Sequence, residues 1–173
     1  MISSIRATIR GFVAPDYLLS CDSKLWQEGL SELRLRGEGR HESGAFLLGL
    51  REGNRRIVKK FVYYDDLDPH CLDHGIVIFD GSGFGPLWEI CRETKLELIA
   101  DVHTHGGVAR QSEADRTNPM KAKAGHLALI LPDFVCRKFQ RGEIGFYEYM
   151  GQYRWKDYSG SQIKKYLYIG IWG

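Results

Sequence analysis

A short, uninterrupted apolar run in the second half of the chain limits the folds open to it. The sequence HLALILP, His126 to Pro132, has the length of a strand, and only apolar residues lie between its ends. A strand of this kind is buried on both faces, so other layers must cover the sheet from both sides. A segment with helical spacing of leucines runs from Ser23 to about Gly37. These patterns predict an α/β fold in which helices flank a mixed central sheet.

Three further patterns predict strands in the first half of the chain. SGAFLLGL and RRIVKKFVYY flank the turn residues Glu52 to Asn54, which indicates a pair of antiparallel strands. GIVIFD, Gly75 to Asp80, is rich in β-branched residues, and we expect it to be a third strand.

The second half of the chain continues the alternation of helix and strand. LWEICRETKLEL, Leu87 to Leu98, has apolar residues at helical spacing and predicts a second helix. LIADVHTH, Leu98 to His105, predicts a strand whose end carries two histidines. Aromatic and β-branched residues are frequent from Tyr147 to Trp172, where we expect the last strands.

Length, charge and cysteine content limit the domains and partners. The 173 residues contain no linker, repeat or low-complexity segment, which predicts one domain over residues 1–173. A net charge of +2 with interspersed signs predicts neither a nucleic-acid nor a membrane partner. We find no signal-peptide pattern and no run of the ~20 apolar residues that a membrane span needs. Four scattered cysteines without a C-x-x-C pair favour reduced thiols in a cytoplasmic protein.

His103 and His105 are spaced to share a metal ion. Side chains alternate faces along a strand, so both imidazoles lie on one face, with Cα atoms about 6.5 to 7 Å apart. A catalytic zinc takes three protein ligands and leaves one position for water. Asp115, in the motif Ser112-x-x-Asp115, is the natural third ligand. The same residues also fit a strand end and a helix N-cap, and capping and ligation are compatible roles for one loop.

Glu42 is the candidate for a general base beside such a metal. It opens the sequence ESGAFLLG, in which Gly44 and Gly49 let a neighbouring backbone or a substrate approach closely. A lone carboxylate at the start of a strand is more often simply a solvated residue. The assignment of Glu42 therefore depends on its combination with the histidines and Asp115.

The combined motifs resemble the signature of the JAMM (MPN+) metalloprotease family. Glu42, His103-x-His105 and Ser112-x-x-Asp115 follow one another in the order that the family has. The resemblance covers about residues 13–150 and implies the MPN fold, a JAB/cytidine deaminase-like domain. The strands predicted in residues 151–173 lie outside this motif-bearing core.

Two departures from the family pattern lie in the ligand loop. Gly106 follows the second histidine, where the family usually has proline. The gap from His105 to Ser112 is one residue shorter than the commonest spacing. Neither departure removes a functional group, but glycine is expected to loosen the loop.

The resemblance implies a function for each motif residue. It assigns one Zn²⁺ to His103, His105 and Asp115, the acid and base role to Glu42, and stabilisation of the oxyanion to Ser112. It implies a zinc isopeptidase or peptidase that cleaves after the C-terminal glycine of ubiquitin or a ubiquitin-like protein.

The resemblance also implies a pathway. The sequence around the motif is similar to the bacterial branch often encoded beside relatives of ubiquitin-activating and ubiquitin-conjugating enzymes. The expected role is deconjugation or precursor processing in a bacterial conjugation or antiphage defence pathway. The segment HCLDHGIVIFDGSGFG, His70 to Gly85, is expected to form a neighbouring wall of the site.

Two alternatives remain open from the sequence. A zinc peptidase that acts on a sulfur carrier or on another small-protein tail would use the same site. A metal-free MPN scaffold that only binds proteins tends to lose ligands, whereas all five motif residues are present in this chain.

Overall fold

A mixed sheet of eight strands forms the centre of the described structure. The computed structural model describes residues 17–79, 81–171 and 173. The strands are β1 (Leu19–Asp22), β2 (Gly44–Glu52), β3 (Arg55–Tyr63), β4 (Glu97–Thr104), β5 (Leu127–Leu131), β6 (Gly145–Gly151), β7 (Arg154–Asp157) and β8 (Leu167–Gly170). Their order across the sheet is β7-β6-β5-β4-β2-β3-β1-β8. β4 is parallel to β5, and β1 is parallel to β3 and β8, whereas the other neighbours are antiparallel.

Helices cover both faces of the sheet, as the α/β prediction requires. The α-helices are α1 (Ser23–Arg36), α2 (Tyr64–Leu67), α3 (Phe84–Thr94) and α4 (Glu113–Thr117). Short 3₁₀ segments span Gly81–Gly83, Asp133–Val135, Arg141–Glu143 and Gly160–Lys165. α1 packs Trp26 and Leu33 into the core on one face, and α2 and α3 pack Tyr64 and Leu87 into the core on the other. The fold class is therefore confirmed.

Most predicted elements are present with small shifts in their ends. α1 begins after Asp22, whose carboxylate accepts a hydrogen bond from the Lys24 amide, and it ends at Gly37. The hairpin turns at Gly53, which has a φ of +63°. α3 begins earlier than predicted and stops at Thr94, because Lys95 is left-handed and the chain then enters β4. In the described part of the chain no helix has the length and apolar character needed to cross a membrane.

The predicted strand GIVIFD is wrong for the residues that the structure describes. Gly75 to Phe79 belong to no strand, and Asp80 lies outside the described residues. The reason is that β2 and β4 already have neighbours on both sides, so the centre of the sheet offers no free edge. The segment instead crosses one end of the sheet, where the Ile78 amide donates to the Cys71 carbonyl over 2.8 Å.

The antiparallel pairing of β2 and β4 positions the candidate site. Gly44 at the start of β2 pairs with His103 near the end of β4. The Ser43 amide donates to the Thr104 hydroxyl over 3.0 Å, and the Thr104 amide donates to the Ser43 carbonyl over 2.9 Å. Glu42 is therefore brought beside the two histidines. A side chain at Gly44 would overlap the Tyr64 ring, which explains the glycine there.

β7 and β8 lie at opposite edges of this sheet, and β8 pairs with β1. The residues beyond the motif-bearing core thus contribute strands to the same sheet. A single domain over residues 1–173 stays a prediction.

Candidate metal centre

Two histidines and one aspartate converge at the end of β4. The Nε2 atoms of His103 and His105 lie 3.0 Å apart. Asp115 Oδ1 lies 3.3 Å from His103 Nε2, and Asp115 Oδ2 lies 3.4 Å from His105 Nε2. The structure thus brings together all three residues that the sequence nominates as metal ligands.

The spacing of these atoms fits a tetrahedral ion. Ligand atoms bonded to one zinc at about 2.0 to 2.1 Å, in tetrahedral geometry, are separated by about 3.3 Å. The three observed separations, two of which run to different oxygens of Asp115, lie close to that value. One carboxylate and two imidazoles also form a ligand set that zinc accepts. The cluster can therefore hold a divalent metal.

The charges within the cluster favour a cation. Burial raises the pKa of Asp115, but hydrogen bonding and attraction from His103 and hydrogen bonds from Ser112 bring it well below its ordinary value. Burial lowers the pKa of His103, yet Asp115 outweighs this effect and raises it. Burial and the neighbouring His103 lower the pKa of His105. Since a metal competes with protons for both imidazoles, metal affinity should fall at acidic pH.

Glu42 is held at the edge of the cluster. Its Oε2 accepts a hydrogen bond from the Val77 amide over 3.0 Å, and its own amide donates to the Gly75 carbonyl over 3.0 Å. Oε1 lies 3.7 Å from His105 Nε2. One carboxylate oxygen is thus anchored by the backbone, while the other faces the ligand atoms, as a base beside a metal requires.

Ser112 caps α4 and so positions Asp115. The Asp115 amide donates to Ser112 Oγ over 3.1 Å, and the Ser112 amide donates to Asp115 Oδ2 over 2.6 Å. This reciprocal arrangement is a capping box. The two interpretations of the sequence are therefore compatible in the structure, because one carboxylate caps the helix and faces the histidines.

The loop after His105 is held by a turn that the sequence did not indicate. Asp133, Phe134 and Val135 all have left-handed φ values between 50° and 59°, which L-residues adopt at a cost of about 1 to 2 kcal/mol each. The Asp133 amide donates to the Gly107 carbonyl over 3.0 Å, and the Phe134 amide donates to the His105 carbonyl over 2.9 Å. The strained turn thus clamps the ligand loop, which is less free than its glycines suggest.

Gly106 is required by the contact with Phe134. A Cβ atom at Gly106 would lie 2.5 Å from Cζ of the Phe134 ring. We expect Gly106→Ala to destabilise the protein by about 1 to 3 kcal/mol, the usual cost of overpacking. Chemical unfolding measures this loss, and the double variant Gly106→Ala/Phe134→Leu should recover part of it.

Gly85 provides the matched control for this substitution. It has open space at its Cβ position and lies within α3, so Gly85→Ala should cause no loss. Native stability in Gly106→Ala would show that the Phe134 contact does not hold the loop.

A buried acid and histidine lie behind the ligands. His126 Nε2 and Asp101 Oδ1 are 2.6 Å apart, and both side chains are almost fully buried. Asp101 precedes His103 by two residues and lies on the same face of β4. His103 Nδ1 is buried without a hydrogen-bond partner among the described residues, so packing orients this ring. The sequence signal for Asp101 is its two-residue spacing from His103, which places both side chains on one face of a strand.

An apolar cleft opens beside the cluster. The cavity has a volume of about 420 Å³ and includes Glu42, His103 and Asp115 in its lining. Ile76 and Ile78, each about half exposed, belong to its apolar wall. The other apolar residues of this wall include Val77, Phe79, Phe84 and Met120. Part of the segment expected as a neighbouring wall therefore does border the site.

Comparisons with known proteins bear on the family and the fold. No protein-family model matches the chain. A protein of Sinorhizobium fredii (strain NBRC 101917 / NGR234), named as the probable metalloprotease y4jG, is 21% identical over 139 residues, which are 80% of this chain and 86% of that protein. The solution structure of protein DSY2949 from Desulfitobacterium hafniense matches with a TM-score of 0.60 and 15% identity, over 87% of this chain and 92% of that chain.

The structural likeness concerns the fold alone. The sequence likeness to a named probable metalloprotease, together with the His-His-Asp cluster, supports a metal-dependent hydrolase of a metalloprotease-like family. The cluster indicates a divalent metal.

Proposed function

We propose that the chain is a JAMM-type zinc isopeptidase or peptidase that cleaves after the C-terminal glycine of a ubiquitin-like protein. The convergence of Glu42 with His103, His105 and Asp115 at one end of the sheet carries this proposal. The order of the motif residues and the likeness to a named probable metalloprotease support it.

Each residue of the site has a chemical task in this reaction. A zinc ion held by the three ligands would polarise the scissile carbonyl and lower the pKa of a bound water from 15.7 to about 7. Glu42 accepts the proton of the attacking water through its free Oε1 and returns it to the departing amine. The Val77 amide keeps the carboxylate in place for both transfers.

Ser112 stabilises the oxyanion in this proposal. Its Oγ accepts a hydrogen bond from the Asp115 amide, and its hydroxyl, which also hydrogen-bonds the Asp115 carboxylate, would turn to donate to the developing charge. We expect Ser112→Ala to retain the metal and to lower kcat by about 10²- to 10³-fold. Turnover and metal content, measured on one preparation, separate the two effects. Ser112→Thr keeps the hydroxyl and should retain most of the rate, whereas loss of the metal from Ser112→Ala would contradict this role.

The cleft suits an extended and slender peptide. Residues 75–79 belong to no strand, and the exposed sides of Ile76 and Ile78 border the space beside the ligands. A flexible tail ending in glycine can lie along such a segment as an added strand, with main-chain hydrogen bonds providing affinity. The proposed partners are a ubiquitin-like protein and its conjugates, within a bacterial conjugation or antiphage defence pathway.

Cleavage of defined fusions tests the proposed substrate. Ubiquitin and several bacterial ubiquitin-like proteins would each be joined through the C-terminal glycine to a reporter, by a peptide bond in one series and by a lysine isopeptide bond in another. Mass spectrometry should locate a cut after the terminal glycine of at least one fusion, and a chelator should abolish it. Cleavage of unrelated peptides without cleavage of any fusion would support a metallopeptidase but overturn the proposed substrate.

A further inference from the structure

A second cavity lies at the opposite end of the sheet from the metal centre. It has a volume of about 530 Å³ and is bordered by the end of β2, the starts of β3 and β4, the segment before β5, and α3. Glu97 at the start of β4 borders this cavity, and His103 lies six residues further along the strand. At about 3.3 Å per residue Glu97 and His103 are roughly 20 Å apart, and His126, which borders the inner side of the cavity, contacts Asp101 behind the metal ligands.

Positive charge dominates this basic cavity. Its cations are Arg51, Arg56, Lys121 and Lys123. Among the described residues that border it, Glu97 is the one acid, and it pairs with Arg51 over 3.0 Å. The other three cations form no ion pair within the described part of the chain. Most of the positive charge in the cavity is therefore not neutralised by protein groups.

Repulsion among these cations contributes to a lower pKa for two of them. Burial, followed by repulsion from Lys123 and Arg51, lowers the pKa of Lys121. Burial, followed by repulsion from Arg51, lowers the pKa of Arg56. An anion in the cavity would relieve this repulsion.

Arg56 is the most recessed cation and has no ion-pair partner among the described residues. It is 7% exposed, and its Nη2 donates to the Gly125 carbonyl over 2.6 Å. Its Nε and Nη1 atoms are buried and have no hydrogen-bond partner among the described residues. Glu148, which is half-buried, attracts Arg56, but its carboxylate accepts the Tyr158 hydroxyl over 2.7 Å. Buried guanidinium groups are normally paired with an anion. We therefore expect an anionic ligand to stabilise Arg56.

The shape of the basic cavity favours a small ligand that binds through charge. A flat protein surface cannot reach a side chain as recessed as Arg56, whereas the volume suits a small molecule. The Trp88 ring beside the cavity already has two neighbours. Phe84 stacks on it with centroids 5.8 Å apart, and Lys121 Nζ lies 5.1 Å from its centroid.

We propose that the basic cavity binds a small phosphate-bearing anion with at least two negative charges, held by Arg56, Lys121 and Lys123. Phosphate oxygens match the fork of a guanidinium and accept further bonds from the lysine ammonium groups. This site is separate from the metal centre, and the inference does not depend on the proposed peptidase activity.

Calorimetric titration of inorganic pyrophosphate into the full chain tests this inference. EDTA is included so that the probe cannot bind through a metal. We expect one saturable site. Lys121→Met/Lys123→Met should weaken it at least about tenfold, because charged hydrogen bonds are lost. Lys59→Met/Lys60→Met removes the same charge from exposed positions on β3 and should bind as the native chain does.

The outcomes separate a specific site from general attraction. No saturable binding by the native chain, or equal weakening in both double variants, would overturn the inference. Arg56→Lys keeps the positive charge but loses the paired N–H donors of the guanidinium. Weaker binding by this variant, with native unfolding behaviour, supports the assigned role of Arg56. A parallel titration with ATP identifies the source of the phosphate. Tighter binding of ATP supports a nucleotide, and equal binding supports recognition of the phosphates alone.

Discussion

Asp115→Ala is expected to weaken divalent metal binding by more than about 100-fold. Loss of a group that only orients a ligand already costs about 10- to 100-fold, and Asp115 is itself the charged ligand. The substitution would leave two imidazoles whose Nε2 atoms are 3.0 Å apart and no negative charge between them. Competition with a chromogenic zinc chelator at neutral pH measures the change.

Two variants control for indirect effects of Asp115→Ala. Asp115 also accepts the Ser112 amide, so its loss removes a cap of α4. Asp115→Asn retains an oxygen for that amide but not the charge, and we expect an affinity between those of the native chain and Asp115→Ala. Glu113→Ala removes an exposed carboxylate from the same helical turn and should bind metal as the native chain does. Native affinity in Asp115→Ala would mean that another group completes the ligand set.

Glu42→Gln is expected to lower kcat by about 10²- to 10⁴-fold while the metal content stays the same. Glutamine has the same shape, and its carbonyl oxygen can still accept the Val77 amide. It cannot take a proton from water at neutral pH. Turnover of a substrate that the native chain cleaves, with metal content determined on the same sample, measures both quantities.

Glu38→Gln is the matched control for the Glu42 substitution. Glu38 is an exposed acid four residues earlier that pairs with Arg40, away from the ligands. Its variant should keep the native rate. A native rate in Glu42→Gln would require another base, and loss of metal would make Glu42 a ligand rather than a base.

The ligand strand was predictable because its signals are local. Alternation of faces along β4 follows from strand geometry, so the convergence of His103 and His105 could be inferred from spacing alone. The capping box at Ser112 likewise depends on four consecutive residues. The approach of Glu42 is a long-range effect of pairing between β2 and β4, and it was predicted from the order of the motif residues rather than from geometry.

The misassigned segment shows what composition cannot predict. Residues 75–79 have strand-forming side chains, yet a strand also needs a free sheet edge, and β3 and β4 occupy both edges of β2. The left-handed turn at Asp133 to Val135 could not be predicted either, because bulky and β-branched residues such as Phe134 and Val135 disfavour positive φ. Glycine is required at position 106 because the Phe134 ring occupies the space of a side chain, and this long-range contact cannot be inferred from the local sequence.

The most direct test of the metal centre is the amount of zinc bound per chain. The native chain and His103→Ala would be stripped of metal, reconstituted with zinc, freed of excess and measured by elemental analysis. We expect about one zinc per native chain and almost none in His103→Ala. A native chain that retains no zinc after reconstitution, or a His103→Ala variant that retains as much as the native chain, would contradict a metal centre formed by His103, His105 and Asp115.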